Sequence, residues 1–169
     1  RRAEGVTWPE TLAELALAKA RFAYWSGDAE EAHRQLAVAA TALGDKAEQA
    51  NVLAFTHHLQ GCLAEDLDEA REHHAAACRA AAQTGYPAMI APVIAGVADL
   101  ALRRDEPEQA ARLLAASTAV RGLADRSDPD LARLERETRS RLGETRYAEA
   151  ARQGTETDWG ELVAVTLAS

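Results

Sequence analysis

The sequence predicts an all-α fold: a superhelical stack of antiparallel helix pairs, about eight to nine helices in all, closed by a helical C-terminal cap. Three observations predict it. Alanine, the strongest helix former and small enough to let helices approach closely, occupies 40 of the 169 positions, while aromatics make up only 5%. No segment alternates polar and apolar residues over the length of a strand. Helix-length segments separated by short breaks recur about every 34 to 43 residues, a period typical of helical solenoids.

The elements follow in order. Thr7-Trp8-Pro9-Glu10 reads as a helix start, with Thr7 as cap and Pro9 in the first turn; this helix runs to about Ser26 and stops at Gly27-Asp28. The second spans Ala29 to Leu43 and stops at Gly44. The third and fourth cover about Lys46–Glu65 and Leu67–Thr84, before Gly85-Tyr86-Pro87. The fifth occupies about Ala88–Arg104, with Pro92 either kinking it or marking its first turn. The sixth covers Pro107–Arg121. Shorter helices follow at about Pro129–Leu142, Thr145–Arg152 and Thr157–Leu167. Residues 1–122 thus form three pairs. Residues 123–169 form the cap, packed as part of the same domain. Trp159 is expected to hold the last helices on the core, and Trp8 either does the same at the start or is exposed.

The second helices of the three pairs align. They open on Asp28-Ala29-Glu30-Glu31-Ala32, Asp66-Leu67-Asp68-Glu69-Ala70 and Glu106-Pro107-Glu108-Gln109-Ala110. Acidic residues suit the positive end of a helix dipole. Each alanine is followed seven residues later by a small residue (Ala39, Ala77, Ser117), with Leu36, His74 or Leu114 between. That is one buried stripe at helical spacing.

At these residues the chain resembles the tetratricopeptide (TPR) repeat. The match is best over Ala13–Leu43, with Gly27-Asp28 as the interhelix turn and Ala20, Ala32 and Ala39 in the small positions. It extends to Pro92–Ala119 through Ile94, Val97, Ala98 and Ala110. The middle pair departs: Gly61 looks like the small mid-helix residue, but the turn after it is about three residues short. Ala16 and Ala23 replace the repeat's signature tryptophan and tyrosine. The run Ala110 to Arg121 resembles the alanine-leucine segment of large actinobacterial regulators, the Streptomyces antibiotic regulatory protein family and related LuxR-type ATP-binding regulators. Arg141-Leu142-Gly143-Glu144 and the closing Ala150–Ala168 stretch are similar to theirs in order and spacing. The resemblance implies a C-terminal interaction or sensing module whose parent chain carries DNA-binding and nucleotide-binding domains. Neither is encoded here: there is no phosphate-binding loop and no basic recognition helix. A start at Arg1 without Met fits a fragment of such a parent.

Charge narrows the partners. Net charge is −8 and the pI is about 5.1, so the surface repels phosphate backbones and anionic membranes. No apolar run reaches the ~18 residues of a membrane span. Two cysteines, Cys62 and Cys78, make no disulfide framework, and a reducing cytoplasm is expected. Arginine outnumbers lysine 17 to 2, the imprint of a GC-rich bacterial genome.

No catalytic set is evident: no nucleophile-elbow sequence occurs, the Glu65-Asp66-Asp68-Glu69 run complements a helix N-terminus, and the chain reads as a non-enzyme without cofactor. His58/Cys62 and His74/Cys78, each spaced i,i+4, could in principle bind zinc from adjacent helices. Register opposes it: with the hairpin turning near Asp66, His58 faces His74 and Cys62 faces Ala70, leaving Cys78 about a turn away. Packed histidines and buried thiols are the expected outcome. The concave surface of stacked pairs is lined by the first helix of each. Candidate groove residues are Leu17, Arg21, Tyr24 and Trp25, then Phe55 and His58, then Asp99, Leu102 and Arg103. Aromatics and arginines dominate recognition energetics, although packing of Tyr24, Trp25 and Phe55 between helices competes with that role. The expected partner is a protein, a peptide or another domain of the parent chain, with homodimerisation through exposed helix faces also anticipated. A free-standing TPR scaffold and a small metal- or ligand-binding helical protein remain the alternatives.

Overall fold

The computed structural model describes residues 9–123 and 128–169, all in helices and their connections. The helices are α1 (Pro9–Trp25), α2 (Ala29–Leu43), α3 (Ala50–Leu63), α4 (Leu67–Thr84), α5 (Pro87–Arg103), α6 (Pro107–Arg121), α7 (Pro129–Leu142), α8 (Glu144–Glu156) and α9 (Trp159–Ala168). Among the described residues there is no strand. Thr7 and Trp8 lie outside them.

Aspartates start four of the described helices, α2, α4, α7 and α9. The side chain of Asp28 accepts from the Glu31 N–H at 3.0 Å, and Asp66 accepts from both the Asp68 and Glu69 N–H groups at 2.9 Å. Asp128 and Asp158 do the same for α7 and α9. Each satisfies donors that the first helical turn leaves without partners, and capping of this kind contributes about 1 kcal/mol per helix.

Two boundaries, the start of α3 and the end of α8, differ from the sequence reading by four residues. Leu43 is followed by a 3-10 turn, Gly44–Glu48, and α3 starts only at Ala50 because Gln49 is extended. The α3–α4 turn has the same three residues as the turns of the other hairpins, so the shortness of the middle pair lies in α3 itself, 14 residues against 17 in α1 and α5. Helix α8 continues past Arg152 to Glu156, through Gly154. That glycine is needed where it stands, since a Cβ there would lie 2.1 Å from the Arg112 carbonyl oxygen on α6. Pro92 falls inside α5, whose first turn is formed by Pro87.

Packing follows chain order. α1 pairs with α2, α3 with α4 and α5 with α6. α5 packs on both α3 and α4, α8 and α9 pack on α6, and α7 bridges α5 and α6. The repeated stripe is buried throughout: Ala32, Ala70 and Ala110 are fully covered, as are Ala39, Ala77 and Ser117 to within a few percent. Ser117 also donates to the Ala91 carbonyl at 2.8 Å, tying α6 to α5. Trp159 packs against the main core as expected, and Gln109 donates to the Thr166 hydroxyl at 2.8 Å to hold α9 on α6.

At the position taken by Leu36 and Leu114 in the other pairs, α4 places His74, wholly buried. Its ring occupies a slot cut by two glycines. A Cβ on Gly61 of α3 or on Gly96 of α5 would lie 2.7 Å from the His74 ring. Close approach of three helices around a flat side chain therefore requires glycine at both positions. Gly61→Ala should cost about 1–3 kcal/mol, the usual penalty for overpacking, and lower the melting temperature by several degrees. In a His74→Ala background the same substitution should cost far less. A double-mutant cycle by urea denaturation checks this, and additive losses would contradict the slot.

Candidate interaction groove

Helices α1, α3 and α5, with the start of α7, enclose a cavity of about 150 Å³. Arg21, Tyr24 and Trp25 line it from α1, and Phe55 and His58 from α3. Met89 and Pro92 enter from α5, and Asp128 and Asp130 from the α7 end. The Arg21 guanidinium carbon stands 5.0 Å from the Trp25 ring centre and 5.9 Å from that of Phe55, within cation–π range of both. The cavity thus has aromatic walls, an exposed arginine at its mouth and carboxylates at one end. A shallower depression continues it past Leu17, Val52 and Asn51.

The nine residues predicted for the groove divide into two groups. Leu17, Arg21, Tyr24, Trp25, Phe55 and His58 come together along this surface. Asp99, Leu102 and Arg103 do not present a free face. Leu102 belongs to the main core at 2% exposure. Arg103 donates to the Ala64 carbonyl at 2.6 Å and the Glu65 carbonyl at 3.1 Å, which satisfies orphan acceptors at the end of α3. Asp99 is buried and receives the Arg133 guanidinium at 2.8 Å. Helix α7 covers this end of the concave surface.

A chain of polar contacts fastens α7 there. Tyr24 donates to Asp130 at 3.0 Å, Asp130 accepts from Arg133 at 2.9 Å, and Arg133 reaches Asp99. Arg141, the penultimate residue of α7, donates to the Leu102 carbonyl at 3.0 Å. Burial pushes the Asp99 carboxyl above its ordinary range, against the pull of Arg133. Burial likewise raises the Tyr24 hydroxyl and the Cys62 thiol, so both are neutral near pH 7. Sequence reasoning missed Asp130, Arg133, Met89 and Pro92. The i,i+3 spacing of Asp130 and Arg133 marks an ion pair on α7, but nothing local shows that α7 folds back onto α1.

The histidines lie at the α3–α4 seam. His58 faces His74, with ring centres 6.3 Å apart, as the hairpin register predicts, and Cys78 lies in the apolar core. His57 and His73 meet through their Nδ1 atoms at 3.1 Å. Cys62 Sγ lies 4.0 Å from His58 Nδ1. Among the described residues, no three His, Cys, Asp or Glu side chains form a metal-binding group. Both His74 nitrogens are buried without a partner, and burial, with the neighbouring His58, Arg103 and His73, lowers its pKa to about 3. His57 and His58 are also lowered, chiefly by burial.

The arrangement defines an all-α stack of adjacent helix pairs with a half-covered concave groove. Comparison with protein-family models, curated proteins and solved structures gives no match.

Two outcomes follow. Arg133→Met leaves the buried Asp99 carboxylate without its cation. The expected loss is about 2 kcal/mol, below the value for a fully buried pair because Arg133 is partly hydrated. Adding Asp99→Asn should recover most of it in urea titrations. For His74, the unfolded chain ionises near 6.5 and the folded one near 3, so the unfolded state binds more protons between those values. Stability therefore falls as pH drops from about 6.5 toward 3, by up to about 1.4 kcal/mol per pH unit from this group. His74→Leu should flatten that slope measurably, and an unchanged slope would rule out a neutral buried ring.

Proposed function

We propose that this chain is the protein-interaction or signal-sensing module of a multidomain bacterial transcriptional regulator, TPR-like in architecture, acting in the cytoplasm without enzymatic activity of its own. Its partner is a protein or peptide segment, or another domain of the parent chain. The observation that carries the reading is the cavity framed by Arg21, Trp25 and Phe55 on a scaffold of stacked helix pairs. Arginine and tryptophan in a partly enclosed pocket are the residue types that supply most of the binding energy in protein interfaces. The resemblance of Ala110–Ala168 to actinobacterial regulators supports the regulatory setting, and the net charge of −8 disfavours direct contact with nucleic acid. No helix is long and apolar enough to cross a membrane.

Mechanistically, a bound segment would shift the parent chain between states only by binding one of them more tightly. The contact between α1 and α7 offers such a difference, because the Tyr24–Asp130 bond and the cavity share residues. A partner engaging Trp25 and Phe55 would act on the polar chain that holds α7. Affinity capture compares the wild-type chain with an Arg21→Glu/Phe55→Ala variant. A partner recovered by the wild type should bind the variant at least about 30-fold more weakly, the effect of losing one strong anchor. Equal recovery by both would remove the groove assignment.

A further inference from the structure

The polar groups around the cavity between α1, α3, α5 and the start of α7 are not equally engaged. The Asp128 carboxylate accepts from the Asp130 and Leu131 N–H groups, at 2.9 and 3.4 Å. Asp130 accepts from the Tyr24 hydroxyl at 3.0 Å and is paired with Arg133 at 2.8 Å. Arg21 differs. Its guanidinium lies over the Trp25 and Phe55 rings, and among the described residues no carboxylate lies within ion-pair distance of it. An arginine held over aromatic rings uses its face and keeps the N–H edge of its fork for a planar anion. Behind that edge the cavity measures about 150 Å³, and an engineered apolar cavity of about that size holds benzene. Trp25 and Phe55 wall it from α1 and α3, and Met89, Pro92 and Val93 wall it from α5.

We infer that this cavity binds a small aromatic carboxylic acid, one ring on a short arm, with the ring between Trp25, Phe55 and Pro92 and the carboxylate on the N–H edge of Arg21. The inference rests on reading the groove as a recognition site and names the ligand class that the site takes. A cationic ligand fits worse, because the Arg21 guanidinium already covers the aromatic faces a cation would use and both carboxylates are engaged. A phosphate or other dianion also fits worse, since the Arg21 fork offers one charge and matches a carboxylate. His58, in the same lining, adds no charge near pH 7, because burial lowers its pKa. The ring would touch α1, α3 and α5 beside the Tyr24–Asp130 bond that holds α7, so the docking of α7 and the binding of the acid are coupled.

Isothermal titration calorimetry of the full chain tests this with three probes of one size: 3-phenylpropionate, its neutral amide, and the cation 3-phenylpropylammonium. The carboxylate should bind with a dissociation constant of about 1 mM or below, the range expected of roughly eleven non-hydrogen atoms. The amide and the ammonium should bind at least about tenfold more weakly, for want of the charge-assisted pair. Arg21→Gln, at an exposed position of α1, should bring the carboxylate to the affinity of the amide and leave the amide unchanged. The C-terminal phenylalanine of a peptide presents the same chemistry, and N-acetylphenylalanine separates the two sources: if it binds more tightly than 3-phenylpropionate, the site belongs to a chain end and the free acid is overturned. No binding of 3-phenylpropionate at tenfold higher concentration, an ammonium probe that binds best, or a carboxylate affinity unmoved by Arg21→Gln would also overturn the inference. Loss of a protein partner in Arg21→Glu/Phe55→Ala, with no binding of the acid, removes this inference and leaves the groove reading. Binding of the acid with equal partner recovery upholds the inference and removes the protein partner.

Discussion

Everything in this molecule depends on small residues meeting at the faces between helices. Ala20, Ala54, Ala70, Ala77, Ala98 and Ala110 are covered to the last percent, and each allows a neighbouring helix to come close. Alanine pays for this with little apolar area per residue, so the larger burial comes from a few leucines and isoleucines between the stripes, such as Leu59, Ile94, Leu100 and Leu113. Close packing of that kind fixes the hairpins as rigid units. It also makes the exceptions informative. Where α4 substitutes His74 for an aliphatic residue, α3 and α5 answer with Gly61 and Gly96, and the close approach is kept around a ring instead of a methyl group.

The groove inherits its shape from that rigidity and its depth from α7. Three first-of-pair helices alone would leave an open concave face. The polar chain from Tyr24 through Asp130 and Arg133 to Asp99 brings α7 across the face at Asp99, and the start of α7 closes one side of the cavity through Asp128 and Asp130. A buried ion pair adds little net stability over an apolar equivalent, but removing either member is costly. Such a contact therefore fixes where α7 docks more than it strengthens the docking. The residues that would meet a partner and the residues that hold α7 are then neighbours on one helix, Trp25 beside Tyr24.

Much of this was legible in the sequence because the signals are local. Four of the nine helices among the described residues, α2, α4, α6 and α7, have the predicted ends, since aspartate caps, prolines and glycines mark them chemically. The buried stripe was legible because helical spacing alone determines which side chains share a face. What was hidden is contact between distant segments. Asp99 and Arg103 have the spacing of groove residues, yet one is paired by an arginine 34 positions later and the other serves carbonyls 38 and 39 positions earlier. Gly154 lies inside α8, past the predicted end at Arg152, because only a glycine lets the α6 backbone pass so close.

Helix α1, the first described helix, has fewer packing neighbours than α3. α3 is enclosed by α1, α4 and α5, so its apolar residues have neighbours on several sides. α1 has neighbours on α2 and α3, with one further tie to α7 through Tyr24. A helix with those neighbours needs apolar residues only over the faces it buries. Leu12, Leu15 and Phe22 depart from that on one side of α1, while the neighbouring exposed positions Thr11 and Glu14 follow it. Apolar side chains scattered singly over a surface carry no message. Three on one side of the helix that also frames the groove are a local feature of α1, and Phe22 packs edge-on against the groove's Trp25 with ring centres 5.6 Å apart, so the two faces of the helix are in direct contact.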